Sequence, residues 1–250
     1  SDGVPHEGES ANWWEHLRDL VGNETVSLHG ESWPSNHEFI GDMMIVRIDE
    51  DVAKFREEIA FSKMSAHPRV RILMEDKGVQ GEFRIRDLVP IALREGDELT
   101  IGNIPEDKID TRVMVRESGK MILCDPTKAY FSTKLQTERI ETLEMARRLR
   151  ALLDRPIRVC DPFCGVGPVL ANIITEESLV SDVLAADLNP DAVSMLLDNL
   201  RRWDGRKYPE NPSPIKRIFQ DRIVGVADAT KLSSMPDMKN SWDMLVVNLP

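Results

Sequence analysis

The first half of the chain alternates between short apolar runs and amphipathic stretches. In "ANWWEHLRDLV", residues 11–21, the apolar side chains recur at helical spacing. The segment "RVMVRESGKMILCD", residues 112–125, has two apolar runs joined by Ser-Gly, which predicts a β-hairpin. Between these two segments the sequence predicts a strand at 43–48, a helix at 50–65 and strands at 69–74 and 82–88. We therefore expect this half to be a mixed α+β unit.

The second half changes to a regular alternation of helices and strands. The segment "TERIETLEMARRLRALL", residues 137–153, has one apolar stripe among charged residues and predicts a long helix. The β-α-β-α order that follows predicts a parallel, doubly wound sheet. Its elements are a strand at 157–160, a helix near 167–175, a strand at 182–186, a helix at 190–202, and strands at 222–226 and 243–247.

These patterns predict an α/β fold in three parts. An acidic, partly disordered segment with a short helix occupies residues 1–35. A smaller α+β domain at 36–130 then precedes a Rossmann-like domain at 131–250.

Charge is distributed unevenly along the chain. The whole chain has 43 Asp and Glu against 32 Lys and Arg, a net charge of −11. Residues 1–50 contain 11 acids and 2 bases, so the remaining residues, with 32 acids and 30 bases, are nearly neutral. The local cluster of Arg147, Arg148 and Arg150 is more typical of a solvated helix face than of a strong nucleic-acid-binding stripe.

Several absences in the sequence favour a cytoplasmic protein. There is no run of 18 apolar residues, and the first 30 residues lack the apolar core of a signal peptide. The chain has 3 cysteines, too few for a disulfide framework. Cys160 and Cys164 could ligate a metal, but with no second Cys or His pair nearby we predict two buried, apolar side chains and no metal site.

A Gly-rich turn follows the first strand of the predicted parallel sheet. In "VCDPFCGVGPV", Gly165 and Gly167 allow a tight turn and a close approach of the backbone to a ligand. A dinucleotide fingerprint would have a third glycine at position 170, which is Leu170, and Pro168 directly follows Gly167. The sequence therefore disfavours a pyrophosphate cradle.

Acidic residues end three successive strands of this sheet. They are Asp161, Asp187 and Asp228. At the carboxyl ends of parallel strands, Asp187 could accept both hydroxyls of a ribose and Asp228 an exocyclic amine, although Asp228 could instead cap the following helix. Three acids around a Gly-rich turn suit a cationic nucleoside, and S-adenosylmethionine is such a ligand. Phe163, Leu188 and Ala229 lie beside these positions and are expected to line the same pocket.

Six stretches of the sequence together match a known family. They are "FIGDMMIVRI" (39–48), "HPRVRILMEDKGVQGEFRIRDL" (67–88), "KAYFSTKLQTER" (128–139), "DPFCGVGP" (161–168), "DLNPDAV" (187–193) and "NLP" (248–250). In these stretches the sequence resembles the archaeal and eukaryotic-type tRNA (guanine-37-N1) methyltransferases. The resemblance covers about residues 36–250 and implies a Rossmann-like class I methyltransferase domain after a smaller α+β domain. It also implies S-adenosylmethionine as donor, N1 of guanosine 37 in tRNA as acceptor, and a monomer when the protein is complete.

The resemblance also implies roles for individual residues. Glu138 would be the general base, and Arg86, or Arg84 two residues before it, would stabilise the guanine O6. Asn248 would position the base beside the cofactor, and Tyr130 would line the pocket. By residue type alone, Glu138 could instead belong to a helix capping box, and Arg86 could form a surface salt bridge.

Other functions fit the same architecture. A sister group of this family transfers the 3-amino-3-carboxypropyl arm of S-adenosylmethionine during wybutosine synthesis, but "TKLQTER" and "NLP" favour methyl transfer here. A methyltransferase with another RNA or protein target, or a binding module without activity, are further alternatives. The family continues past "NLP", so we expect this chain to be a fragment in which the strand at 243–247 lies at the sheet edge.

Overall fold

The structure is a computed structural model and describes residues 12–234 and 241–247. The chain separates into two compact units. The first contains the residues up to 80 together with 86–113, and the second contains 81–85 together with the residues from 114 onward. Within the described ranges, no helix is both long and apolar enough to cross a membrane.

The first unit combines helices with one mixed sheet. The sheet has five strands in the order β1-β2-β3-β4-β5. Strands β1 and β2 are antiparallel, β2 and β3 are parallel, and β4 and β5 are antiparallel. The elements are α1 (Trp13–Val21), α2 (Asn23–His29), β1 (Glu38–Ile40), β2 (Met43–Val46), α3 (Arg56–Ala66), β3 (Ile72–Gln80), β4 (Ile85–Glu95) and β5 (Glu98–Ile101).

Helix α3 forms the crossover between the parallel strands β2 and β3 and is buried on more than one side. Its Ile59 belongs to a cluster with Leu17 of α1 and Trp33. Its Met64 packs instead with apolar residues of the sheet, including Leu73. Parallel strands need such a crossover, and this one buries apolar side chains against both the sheet and α1.

Lys63 of α3 is fully buried in the first unit. Its Nζ lies 3.7 Å from the centroid of the Trp13 ring and 3.4 Å from Nδ1 of His37. Burial lowers the pKa of Lys63 to about 7. Burial, together with the charges of Lys63 and His67, lowers the pKa of His37 to about 4.

The second unit is built around a mostly parallel sheet. The strand order is β10-β11-β9-β8-β12, with β11, β9, β8 and β12 parallel and β10 antiparallel to β11. A separate hairpin is formed by β6 and β7. The elements are β6 (Val113–Glu117), β7 (Lys120–Cys124), α4 (Gln136–Leu153), β8 (Ile157–Asp161), α5 (Pro168–Thr175), β9 (Val180–Asp187), α6 (Pro190–Asp204), β10 (Lys216–Phe219), β11 (Arg222–Val226) and β12 (Met244–Leu245).

The register of this sheet aligns the carboxyl ends of its central strands. Asp187, the last residue of β9, lies opposite Val226, the last residue of β11. Asp161, the last residue of β8, lies opposite Ala185. The loops after all three strands therefore begin at one edge of the sheet, where doubly wound proteins bind their ligands.

The β6–β7 hairpin is attached to helix α6. The backbone N–H of Leu123 donates to Oδ1 of Asn199 at 2.8 Å, and Nδ2 of Asn199 donates to the Leu123 carbonyl at 2.9 Å. Nε1 of Trp203 donates to the carbonyl of Met121 at 2.9 Å. The hairpin thus belongs to the second unit. The boundary predicted from the sequence, between residues 130 and 131, would separate the hairpin from the rest of that unit.

Several short elements were not predicted from the sequence. They are α2, β1, β5 and β10, and each strand among them has only three or four residues. Strands of this length show too few alternations for a reliable period-2 signal. Strand β12 covers only Met244 and Leu245, and the predicted strand end at Val247 lies outside any strand.

Candidate functional site

A cavity of about 330 Å³ opens at the carboxyl ends of the parallel strands in the second unit. Its size is within the range of small-molecule sites. It is lined by residues from the loops after β8, β9 and β11 and from the segment before α4. The lining includes Ala129, Tyr130, Phe131, Ser132, Leu135, Arg139, Pro162, Phe163, Cys164, Gly165, Pro168, Asp187, Leu188, Asn189, Ala192, Ala227, Asp228, Ala229 and Thr230.

The Gly-rich turn between β8 and α5 forms one side of this cavity. The backbone N–H of Cys164 donates to the carbonyl of Ala186 at 3.0 Å, which fixes the turn to β9. Gly165 and Gly167 have φ angles of 55° and 89°, values that favour glycine. Of the two, only Gly165 lines the cavity.

Gly167 is positioned for helix packing. A Cβ atom on Gly167 would lie 2.7 Å from Cδ1 of Leu196 and 3.1 Å from Cζ3 of Trp203, both in α6. Gly167 therefore allows the start of α5 to approach α6 closely. A contact between Gly167 and the cofactor stays a prediction.

Asp161 is buried at the end of β8, directly before the lining residues Pro162 and Phe163. Its side chain is 1% exposed, and Oδ1 accepts a long hydrogen bond from the Phe163 N–H at 3.4 Å. Burial raises the pKa of Asp161 to about 7; the Phe163 N–H lowers it and the charge of Asp187 raises it. The predicted cofactor contact of Asp161 is untested, since this residue is not among those lining the cavity.

Asp187 lines the cavity and organises two loops. Its Oδ2 accepts from the N–H of Gly165 at 2.8 Å, and its Oδ1 accepts from the N–H of Asn189 at 2.9 Å. Burial raises the pKa of Asp187, while these backbone donors lower it. Each carboxylate oxygen can accept a second hydrogen bond, so Asp187 can still receive the hydroxyls of a ribose.

Asp228 lines the cavity and also caps the turn that follows. Its Oδ1 accepts from N and Oγ1 of Thr230 at 3.0 and 2.7 Å. These bonds lower the pKa of Asp228, so it is a carboxylate at neutral pH. The capping alternative is therefore correct in the structure, and the same carboxylate faces the cavity.

Tyr130 and Glu138 lie on either side of the start of helix α4. Tyr130 lines the cavity and is 42% exposed. Glu138 is exposed in the first turn of α4, between the lining residues Leu135 and Arg139. A capping box is not present, because the N-cap is Leu135, which has no side-chain oxygen to offer.

Arg86 is located in the first unit and forms the predicted salt bridges. It donates from Nη1 to Oε2 of Glu38 at 2.8 Å and from Nη2 to Oδ2 of Asp76 at 3.0 Å. Its side chain is 19% exposed, so the pair is largely enclosed. Asn248 lies outside the described residues. The proposed catalytic roles of both residues stay predictions.

Asn189 and Arg139 are among the lining residues that could not be assigned from the sequence. Asn189 caps α6 through a bond from the Asp191 N–H to its Oδ1 and donates from Nδ2 to the Lys128 carbonyl at 2.7 Å. Its signal was present in "DLNPDA", because Asn before Pro is typical of a helix start. Arg139 is buried against Glu117, and no local pattern joins two residues that far apart.

The residues of the cavity fit S-adenosylmethionine. This ligand carries a sulfonium and an ammonium group, and the cavity is lined by three acidic residues, Glu82, Asp187 and Asp228. Phe163 and Leu188 supply apolar surface. A glycine-lined turn and acidic strand ends at the carboxyl edge of a parallel sheet define a Rossmann-like domain of the methyltransferase type.

Comparisons with known proteins assign the family. The TRM5/TYW2 methyltransferase domain matches residues 113–205, and the TYW2 N-terminal domain matches residues 16–96. The chain belongs to the TRM5/TYW2 methyltransferase family, whose members are S-adenosylmethionine-dependent transferases that modify tRNA.

One curated relative and two solved structures illustrate the similarity. The chain is 29% identical over 169 residues to tRNA (guanine(37)-N(1))-methyltransferase Trm5b of Pyrococcus abyssi, covering 67% of this chain and 44% of the relative. A structure of aTrm5 in complex with tRNALeu matches with a TM-score of 0.63 at 21% identity, covering 94% of this chain and 58% of that one. TYW2 of P. horikoshii in complex with MeSAdo matches with a TM-score of 0.54 at 18% identity, covering 76% of this chain and 59% of that one.

These matches confirm the predicted fold class and the predicted family resemblance. The Rossmann-like domain follows an N-terminal α+β domain, as in the Trm5 structures. The chain spans less than half the length of the curated relative.

Proposed function

We propose that this chain provides the cofactor and catalytic region of an enzyme that methylates N1 of guanosine 37 in tRNA. The observation that carries the proposal is the 169-residue match to a relative with that named activity. The acidic cavity supports it, because its residues suit a cationic nucleoside. We further propose a cytoplasmic location and a monomeric complete protein.

In this proposal the cavity holds S-adenosylmethionine. Asp187 accepts the ribose hydroxyls, Asp228 accepts from the adenine amine, and Gly165 brings backbone N–H groups close to the ligand. Tyr130 covers the site. It is completed or supported by Asp161, Phe163, Gly167, Leu188 and Ala229. When bound, the cofactor supplies an activated methyl group and leaves as a neutral thioether.

The residues around the start of α4 would act on the guanine. N1 of guanine carries a proton and is a weak nucleophile, so a base must remove that proton as N1 reacts. Glu138 is exposed in the first turn of the helix, and we assign it this role. Arg86 would stabilise the negative charge on O6; a guanidinium has five N–H donors, so its bonds to Glu38 and Asp76 do not exhaust it. Asn248 would orient the base.

The target base must leave the anticodon loop to reach such a pocket. Enzymes that modify a base take it out of its stack, at a cost of a few kcal/mol that is lowest in loops. Guanosine 37 stands in a loop, which keeps this cost small. The partner is therefore tRNA, as for the aTrm5 chain in its complex.

Transfer of the aminocarboxypropyl group to tRNA is the second candidate. The observation that favours it is the match of residues 16–96 to the TYW2 N-terminal domain. Both reactions use the same cofactor, so the cavity alone does not separate them.

The first test identifies the transferred group. The chain is incubated with tRNA transcripts carrying guanosine or adenosine at position 37, and with S-adenosylmethionine labelled either in the methyl group or in the carboxyl group. We expect methyl label in 1-methylguanosine, from the guanosine transcript only. Carboxyl label in the RNA would replace the proposal with the second candidate, and no label from either donor would contradict both.

The second test concerns Glu138. We expect Glu138→Gln to lower the single-turnover rate at least 100-fold with unchanged S-adenosylmethionine affinity, because general bases contribute about 10²–10⁴-fold. Glu141→Gln is the matched control, since Glu141 is also exposed in α4. Equal rates for the two variants would remove Glu138 from the role of base.

A further inference from the structure

The side chain of Arg139 is enclosed in a fixed geometry beside the cavity. Its Nε and Nη2 donate to the two carboxylate oxygens of Glu117, both at 2.6 Å. Nη2 also donates to the carbonyl of Ser132 at 3.0 Å. The two charged side chains are 2% and 4% exposed. A bidentate pair of this kind fixes orientation as well as distance.

Stability alone does not account for a pair buried this deeply. Two charges lose their hydration on burial, and an apolar pair of similar volume is often as stable or more stable. What a bidentate ion pair provides, and an apolar pair does not, is a defined direction for the groups attached to it. The question is therefore which groups the Glu117–Arg139 pair orients.

The pair joins strand β6 to two parts of the cavity wall. Glu117 is the last residue of β6, Arg139 is in the first turn of α4, and Ser132 lies in the segment that leads into that helix. The Arg139 guanidinium is 5.5 Å from the centroid of the Phe131 ring. Both Phe131 and Ser132 line the cavity, so the bond to the Ser132 carbonyl fixes the backbone of the wall itself.

The same wall is held at its other end by Asn189. Its Nδ2 donates to the carbonyl of Lys128, and the N–H groups of Lys128 and Ala129 donate to the carbonyl of Asp125 at 3.0 Å. The wall segment, residues 129–132, is thus fixed at both ends by side chains with directional bonds. Tyr130 lies between them.

We propose that the Glu117–Arg139 ion pair is a positioning device for the wall segment, and that it sets the affinity of the cavity for S-adenosylmethionine. This inference rests on the proposed function for the identity of the ligand. Arg139 acts through Ser132 and Phe131, and it also fixes the helix turn that carries Glu138.

The experiment uses two readouts on the full chain. Hydrogen exchange of the amides of residues 129–132 is measured without ligand, and S-adenosylmethionine affinity is measured by calorimetry, both well below the unfolding temperature. Arg139→Met removes the guanidinium, and Arg139→Lys keeps the positive charge but cannot make the two parallel hydrogen bonds to Glu117. If the arginine variants do not fold, Glu117→Gln replaces them, because it removes the charge of Glu117 and keeps the shape of its side chain.

The chain offers a matched control in Arg222, which is 4% exposed and pairs with Asp204 at 3.0 and 3.2 Å. Arg222 begins β11, whereas the cavity is at the other end of that strand, roughly 13 Å away at 3.3 Å per residue. Arg222→Met therefore removes a similar buried pair without touching the wall.

We expect Arg139→Met to accelerate exchange in the wall segment and to weaken S-adenosylmethionine binding at least tenfold. Arg139→Lys should recover thermal stability but not affinity, and Arg222→Met should lose stability with affinity within twofold of wild type. Wild-type affinity in Arg139→Met, or an equal loss in Arg222→Met, would overturn the inference. If the wild type binds no S-adenosylmethionine, the proposed function fails, and unchanged exchange at 129–132 would then separately overturn the positioning role.

Discussion

Asp161 has a buried carboxyl group whose protonation is linked to folding. Its pKa is about 7 in the folded protein, against an ordinary value of 3.8 for an aspartate side chain. Between these two values the folded state holds a proton that the unfolded state has lost. The contribution of Asp161 to stability should therefore fall as pH rises from about 4 to 7, by about 1.4 kcal/mol for each pH unit.

Asp161→Asn should remove this dependence. We expect the variant to be more stable than the wild type at pH 8, and the difference to shrink toward pH 5. Urea unfolding at both pH values measures it. A difference that is the same at pH 5 and pH 8 would show that Asp161 is not protonated in the folded state.

Lys63 gives a pH dependence of the opposite sign. Its pKa is lowered to about 7 from 10.5, so above pH 7 the unfolded state binds a proton that the folded state does not. The wild type should gain stability relative to Lys63→Met as pH rises from 8 to 9.5, a range in which His37 is neutral in both states. Burial raises the pKa of Cys124, Cys160 and Cys164 in both proteins, so their effect cancels in this difference. Thermal unfolding of both proteins measures it, and a difference that does not change with pH would assign the effect to another group.

At the level of elements, the packing of α5 on α6 depends on Gly167. Gly167→Ala would place its Cβ 2.7 Å from Leu196 and 3.1 Å from the rigid ring of Trp203, at a φ of 89°. We expect a loss of about 1–3 kcal/mol from overpacking, in addition to the backbone strain. Gly165→Ala is the control, because its Cβ would meet nothing within 4 Å although its φ is also positive. Urea unfolding that shows the same loss for both would mean that strain, and not packing, is the cause.

At the scale of the whole molecule, regular elements could be predicted and their partners could not. Helix α4 and strands β8, β9 and β11 follow from long periodic patterns, and the acidic strand ends follow from those strands. The position of the β6–β7 hairpin depends instead on Asn199, a residue 76 positions from Leu123. No local pattern encodes such a pairing.

In the candidate site, too, residues at strand ends could be predicted from the sequence, whereas contacts between distant elements could not. Gly165, Asp187 and Asp228 could be predicted as cavity residues because the sheet brings the ends of its strands together. The packing role of Gly167 could not be predicted from the turn alone, since its close neighbours are Leu196 and Trp203 of another helix. The Glu117–Arg139 pair was missed because it joins two elements whose contact exists only in the folded unit.

The bond between the hairpin and Asn199 also sets an order of events during synthesis. Leu123 leaves the ribosome before its partner, 76 residues later, has been translated. At about 5–20 residues per second, the hairpin waits roughly 4–15 s for α6. During that interval water must satisfy the backbone groups of Met121 and Leu123, so the hairpin can dock in the second unit only after α6 has been translated.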